Sequence, residues 1–314
     1  MNTLSRRDCC RRLAAWAAGA MVAPAAFSAV SAAESDFRLR YVLASCMYGT
    51  MKLEDVLAQA RDAGCDSVDL WPKPHGSQRE QLQEMGADKF ADLLKKYQTR
   101  LGIITRYDLG PLGLQDEMKV LRGLGGTILV CGGVGPVGLT GQPLKAAVAQ
   151  FAEKLKPHLD AAEQAGATIA IENHGKNLIC SEDSLKWLIE LAPSRRLGVA
   201  LAPYHLDQDP AAIGKLIVQL GGRIAHFYAW EHGQGCMTKL PLEQEITQLP
   251  GRGKLDFAPI LAALRQIQYA GGTSVFMHPV PRGRPIYPTA AAITAEINRA
   301  RKHLDGLAKQ GRME

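Results

Sequence analysis

Past residue 38 the chain alternates short β-branched or apolar runs with longer segments whose apolar positions recur every three or four residues. β-α units around a parallel sheet produce this alternation, because each strand is covered on both faces and each helix on one. The apolar runs fall at 39–45, 66–71, 101–105, 127–131, 168–172, 197–201, 223–228 and 273–277, and a helical segment follows each. Eight such pairs predict a closed α/β architecture, a single (β/α)8 TIM barrel. The helical stripes are explicit: Leu144, Val148, Phe151, Leu155 and Leu159; Phe257, Ile260, Leu264 and Ile267; Ile293, Ile297, Ala300, Leu304 and Leu307. Pro157 predicts a kink in the first, and Gly64, Gly166 and Gly271 or Gly272 mark where helices should stop.

The chain before residue 34 departs from this pattern. Arg6, Arg7, Arg11 and Arg12 precede an Ala-rich apolar stretch ending in Ser31, Ala32 and Ala33, the layout of an export signal. Ser5-Arg6-Arg7-Asp8-Cys9-Cys10-Arg11 resembles a twin-arginine signal, with Cys9 and Cys10 where Phe and Leu usually stand, and the ordinary secretory route is the alternative. Pro24, Gly19 and the many alanines make the stretch weak as a membrane anchor. The expectation is therefore a cleaved signal over 1–33, a barrel over 34–314, periplasmic residence and no stable membrane insertion after cleavage.

Cleavage removes four Arg and one Asp, so the formal charge falls from +6 to about +3. The remaining basic residues are interleaved with acids, which argues against nucleic acid as a partner. Seven Cys in 314 residues are too few for a disulfide scaffold, and no CxxC spacing calls for zinc; Cys46 and Cys131 read as free buried thiols.

Candidate chemistry gathers at the predicted strand ends. Of eight His, only His158 and His303 lie within helix stripes, while His75, His174, His205, His226, His232 and His278 fall at or just beyond strand ends. The sharpest local signal is Thr168 to Gly175, an apolar strand that ends in Glu172, Asn173 and His174. A carboxylate buried there needs a divalent metal, a basic substrate group or an Arg/Lys neighbour. Metal is the first choice, because imidazole with carboxylate suits Zn, Mn, Fe or Co. Trp71, Tyr107, Tyr204, Tyr228 and Trp230 flank the same rim, as sugar-stacking faces or as packing, and Arg282 and Arg284 follow the eighth strand. The long connection between Tyr228 and Asp256, with Glu231, His232, Cys236 and Pro250-Gly251-Arg252-Gly253, reads either as a lid or as a surface loop.

At these residues the chain resembles the xylose isomerase-like barrel superfamily of sugar isomerases and epimerases, which also includes the AP endonuclease family. The marks are Ile171-Glu172-Asn173-His174, the Gly198-to-His205 run, Ile224-Ala225-His226 and Tyr269-Ala270-Gly271-Gly272. The resemblance implies a divalent ion held by Glu, Asp, His and Glu from strands five to eight, and paired Glu residues that move a proton beside a sugar carbonyl. Only Glu172 carries over cleanly: the sixth-strand Asp falls on Ala202, the seventh-strand His on Tyr228 and the final Glu on Phe276 or His278. The expected rearranged metal set is Glu172, His205 and His278, with His226 behind them.

The expected catalytic groups are Glu172, His278 and Glu231, and the expected substrate contacts are Trp71, His75, His174, Tyr228 and Arg282. Because no second carboxylate stands on the strand ends, an isomerase or epimerase must use His278, His205 or Glu231 as its other base, and a lyase or hydratase acting on keto-sugars is the alternative. A barrel that binds carbohydrate without turnover is the non-catalytic alternative. Export favours a small, non-phosphorylated carbohydrate in every case.

Overall fold

A computed structural model describes residues 37–232 and 239–310. The expected signal over 1–33 and Cys236 lie outside these residues. Eight parallel strands close in chain order: β1 (Arg40–Ala44), β2 (Ser67–Leu70), β3 (Leu101–Thr105), β4 (Ile128–Gly132), β5 (Thr168–Glu172), β6 (Leu197–Leu201), β7 (Ile224–Ala229) and β8 (Gly272–Val275). Closure runs through Arg40 beside Gly272 and Tyr41 beside Thr273. Each strand lies within two residues of its sequence-based range, because a run buried on both faces leaves a continuous apolar signature.

The helices are α1 (Leu53–Ala58), α2 (Gln78–Met85), α3 (Ala87–Lys96), α4 (Gln115–Gly123), α5 (Gly141–Ala165), α6 (Glu182–Leu191), α7 (Pro210–Leu220), α8 (Leu242–Glu245), α9 (Phe257–Gln266) and α10 (Ala290–Gln310). The predicted stripes are the inner faces: Leu144, Val148, Phe151, Leu155 and Leu159 of α5 are all buried, as are Ile293, Ile297, Ala300 and Leu304 of α10. Among the described residues no helix is long and apolar enough to cross a membrane.

Two punctuation details differ from expectation. Helix α5 continues through Pro157, which lies on the exposed face, where water can satisfy the carbonyl left without its helical donor. Helix α9 is followed by a left-handed residue at Gln268, φ 52°, rather than at Gly271 or Gly272. Gly272 instead opens β8, where a Cβ would lie 2.6 Å from Cγ2 of Val42. Gly166 ends α5 as predicted, at φ 73°.

The connections at the C-terminal end are tied down. Asn173, just past β5, donates from Nδ2 to the carbonyl of Ala202 (2.9 Å), and its Oδ1 accepts from the Ala202 N–H (2.8 Å), locking the ends of β5 and β6 together. Arg252 pairs with Glu296 of α10 (2.7 and 2.8 Å), and a Cβ on Gly251 would meet the His303 ring, so the Pro250–Gly253 stretch is fastened to the last helix. Cys46, Cys65 and Cys131 are buried free thiols and Cys180 is a half-buried one.

Candidate functional site

Glu172 ends β5 on the strand's inward face and is 2% exposed. Its Oε2 accepts a hydrogen bond from the hydroxyl of Tyr107, and its Oε1 lies 3.8 Å from Nε2 of His205. Burial raises the carboxyl well above its ordinary value, the nearby Asp69 carboxyl adds to this, and the Arg282 guanidinium opposes it. The raised proton affinity is what a desolvated acid without a contacting cation must show.

In front of Glu172 is a cavity of about 120 Å³. Trp71, Trp230 and Tyr107 form its aromatic walls, His75, His174 and His278 its imidazole lining, and Arg282 stands at its edge with Asn177. The rings brace one another: His75 and His278 are 4.6 Å apart between centroids, and Trp71 is 5.4 and 5.3 Å from those two. His174 lies 4.1 Å from His205. Desolvation lowers all four imidazoles: His75 to about 3, His205 to about 2, His174 to a smaller extent and His278 far down. At neutral pH these are uncharged rings, each carrying one donor and one acceptor. His174 Nδ1 contacts the Gly175 carbonyl at 2.6 Å; a carbonyl only accepts, so Nδ1 carries the proton and Nε2 keeps its lone pair.

Several expected site residues are placed elsewhere. His226 lies within β7, fully buried, with its ring 4.5 Å from that of Tyr228 and against the Gly272 backbone. It sits two residues below Tyr228 on the inward face of β7, and Trp230, two residues above, is the one that reaches the cavity. Tyr228 does not line the cavity; it is buried against Phe276, 4.8 Å away. Glu231 has the opposite parity to Trp230 and turns into the Gly251–Leu255 turn, where Oε2 accepts from the Leu255 N–H at 2.9 Å. Burial raises Glu231 to about 7, and the backbone N–H groups of that turn oppose the rise. It anchors that loop and does not line the cavity. His205 lies behind the lining, facing Glu172, while His232 is exposed, its Nδ1 donating to the Tyr204 carbonyl at 3.2 Å.

The expected metal set is not assembled. Among the described residues no three His, Cys, Asp or Glu side chains are grouped to hold a metal ion. Glu172 has His205 beside it, His278 is packed among His75, Trp71 and Phe276, and His226 lies below the site. Where the resemblance expects ligands the chain has Ala202, Tyr228 and either Phe276 or His278, so at most one of these three positions supplies a ligating imidazole, and the His278 ring packs on His75.

Sequence reasoning missed Asp69. It is fully buried at the inner face of β2, accepting from Trp71 Nε1 (2.7 Å) and from Thr105 Oγ1 (3.0 Å). Burial raises it to about 8, against the pull of those two donors. Its signal was the same as that of Glu172: one carboxylate in the apolar run Ser67-Val68-Asp69-Leu70. Also missed was the ion-pair group that holds Tyr107: Glu117 is bonded by Arg79 and by Arg106, and Arg106 also grips Asp108 (2.9 and 2.7 Å), bracketing residue 107 on both sides.

The family model described as xylose isomerase-like TIM barrel matches residues 57–303. No curated protein sequence matches the chain. Among solved structures, an L-ribulose 3-epimerase is 19% identical with a TM-score of 0.65, covering 88% of this chain and 98% of that one. The IOLI protein with a binding zinc atom is 16% identical with a TM-score of 0.65, covering 87% of this chain and 99% of the other. The probable 3-DHS dehydratase AsbF from Bacillus anthracis is 12% identical with a TM-score of 0.64, covering 82% and 97%. At these identities the likeness is one of fold.

Proposed function

The chain belongs to the xylose isomerase-like TIM barrel family, and on that premise we propose that it moves a proton beside a carbonyl of a small carbohydrate, as a sugar isomerase or epimerase does. The observation that carries the reading is Glu172 itself, a buried carboxyl of raised proton affinity at the back of a cavity lined by aromatic rings and uncharged imidazoles. Aromatic faces suit sugar C–H surfaces, and neutral imidazoles suit hydroxyl groups, which also both donate and accept. A carboxyl with elevated proton affinity is a strong base once ionised and an effective acid while protonated, so Glu172 serves proton transfer in either direction.

Tyr107 occupies Oε2, which leaves Oε1 as the atom that gives and takes the proton. The closely packed His75 and His278 rings hold substrate hydroxyls, and His278 is the second proton carrier. The structural neighbours include a zinc-bound protein, whereas among the described residues no three ligating side chains are grouped, so the roles here are assigned to the side chains themselves. The arginine-rich leader supports export, and with it a non-phosphorylated substrate.

A lyase acting on a keto-sugar is the second reading, favoured by one observation: among the described residues lining the cavity, Glu172 is the one carboxyl, so the base and the acid differ in kind. Incubation with ketoses and keto-glycosides in D2O separates the readings. An isomerase or epimerase returns a product of unchanged composition with deuterium at the exchanging carbon; a lyase returns a product lacking the leaving group. Binding without either change identifies a carbohydrate-binding barrel.

A further inference from the structure

Strand β4 ends in glycines, and the space their missing side chains leave is filled by the connection after β5. Gly132 is the register partner of Glu172, so a side chain at 132 would stand beside that carboxyl on the inner face of the barrel. A Cβ there would run into Nδ2 of Asn177 and lie 3.2 Å from Cε1 of Tyr107. Further along, a Cβ on Gly133 would lie 2.6 Å from Cγ1 of Ile179, and one on Gly135 would lie 2.8 Å from Cδ2 of Leu178. Residues 177–179 are thus laid along a glycine track, with Leu178 and Ile179 as buried apolar anchors. The turn before them is closed by the Asn177 N–H donating to the His174 carbonyl (3.1 Å) and the His174 N–H donating to the Ile179 carbonyl (2.9 Å). Lys176 is left-handed there, φ 66°, a conformation that an ordinary residue keeps only where its surroundings hold it. Asn177 is the polar member of the three, and its side-chain amide lines the cavity and makes no hydrogen bond with another described residue.

We infer that Asn177 is a substrate-binding residue: its amide, set in the space that a side chain on Gly132 would take, hydrogen-bonds a hydroxyl of the sugar close to the carbon at which Glu172 exchanges its proton. The inference rests on the carbohydrate reading and deepens it. A primary amide donates through nitrogen and accepts through oxygen, which suits a hydroxyl that does both. The Tyr107 ring shares the Gly132 niche and its hydroxyl bonds Glu172, so the amide stands next to the group that orients the acid. A sugar that enters displaces water from the amide, and one lacking the matching hydroxyl leaves it desolvated and unpaired. The pinned turn and the glycine track fix where that hydroxyl must be, so the residue selects among sugars as well as holding them.

The test uses the full chain. Calorimetry with D-fructose, D-tagatose and L-ribulose identifies the ketose that binds, and its monodeoxy analogues are compared with it. The unmodified protein is expected to favour the parent over at least one analogue by about tenfold, and Asn177→Ala should bind the two alike. Gly132→Ala puts a methyl group where the amide lies and should weaken binding of the parent by a similar factor. The double variant should then bind no more weakly than Asn177→Ala alone, because both changes remove one interaction. Asn177→Leu, which keeps the shape without the polar atoms, gives the same answer should Gly132→Ala fold poorly. Unchanged binding in Asn177→Ala, or a preference against the analogue that survives in it, overturns the inference and leaves the carbohydrate reading standing. Losses that multiply in the double variant overturn the shared niche. Failure of the unmodified protein to bind any of these ketoses at millimolar concentration overturns the carbohydrate reading and the inference together.

Discussion

The hydroxyl of Tyr107 donates to Oε2 of Glu172, joining the ends of β3 and β5 over the intervening β4. The bond divides the two carboxyl oxygens between distinct tasks, one anchored to the protein and one facing Nε2 of His205.

Glu172→Gln keeps the shape and the hydrogen-bonding capacity of a neutral carboxyl but cannot exchange a proton. Turnover should fall by about 100-fold or more, the usual worth of a positioned acid or base. Sugar affinity should change little. Tyr107→Phe should lower turnover less, because it frees Oε2 without removing the proton carrier. Deuterium exchange at the substrate carbon, compared with calorimetric binding, checks both.

Stability should respond to pH with two opposing slopes. The ordinary carboxyl value is about 4 and that of imidazole about 6.5. Asp69, near 8, and Glu172, also raised by burial, hold protons in the folded chain that the unfolded chain releases from about pH 4 upward, so their contribution is full below that point and is lost as pH rises through their folded values. His75, His205, His226 and His278 are lowered, so theirs is full above about 6.5 and is lost as pH falls. Each group contributes at most about 1.4 kcal/mol per pH unit. Between pH 6.5 and 8 the melting temperature should therefore decline, and Asp69→Asn, which can still accept from Trp71 and donate to Thr105, should flatten the decline.

Glu117 lies 3% exposed between Arg79 and Arg106, so Glu117→Ala strands two guanidinium groups. The expected cost is about 3 kcal/mol or more. Because Arg106 and Asp108 flank Tyr107, the variant should also lower turnover while the signal of the cavity tryptophans shifts. A purely distant stability defect would leave that signal unchanged below the melting transition. Thermal melts and fluorescence spectra together distinguish the two.

Dialysis against a chelator should leave the melting temperature within about 1 °C and turnover unaltered, since a tightly bound ion would raise stability by mass action. The expectation rests on the donor set, with Ala202, Tyr228 and either Phe276 or His278 where the resemblance expects ligating side chains, and no three ligating side chains grouped among the described residues. Restoration of lost activity by Zn, Mn, Co or Fe would contradict it.

The apolar runs and helical stripes alone determined the eight β-α units, their order and the strand ends on which chemistry would gather, because burial imposes periods of two and 3.6 that survive in one dimension. Glu172, His174 and Trp71 were legible for the same reason: a polar or aromatic residue ending an apolar strand stands out against its neighbours. Proximity between strands was not legible. Only closure of the barrel decided that Tyr107 meets Glu172, that Asp69 shares the interior with it, and that His226 lies below the site while Trp230 reaches it. Strand tilt and stagger set those distances, and they depend on pairing among all eight strands, which no local stretch of residues encodes.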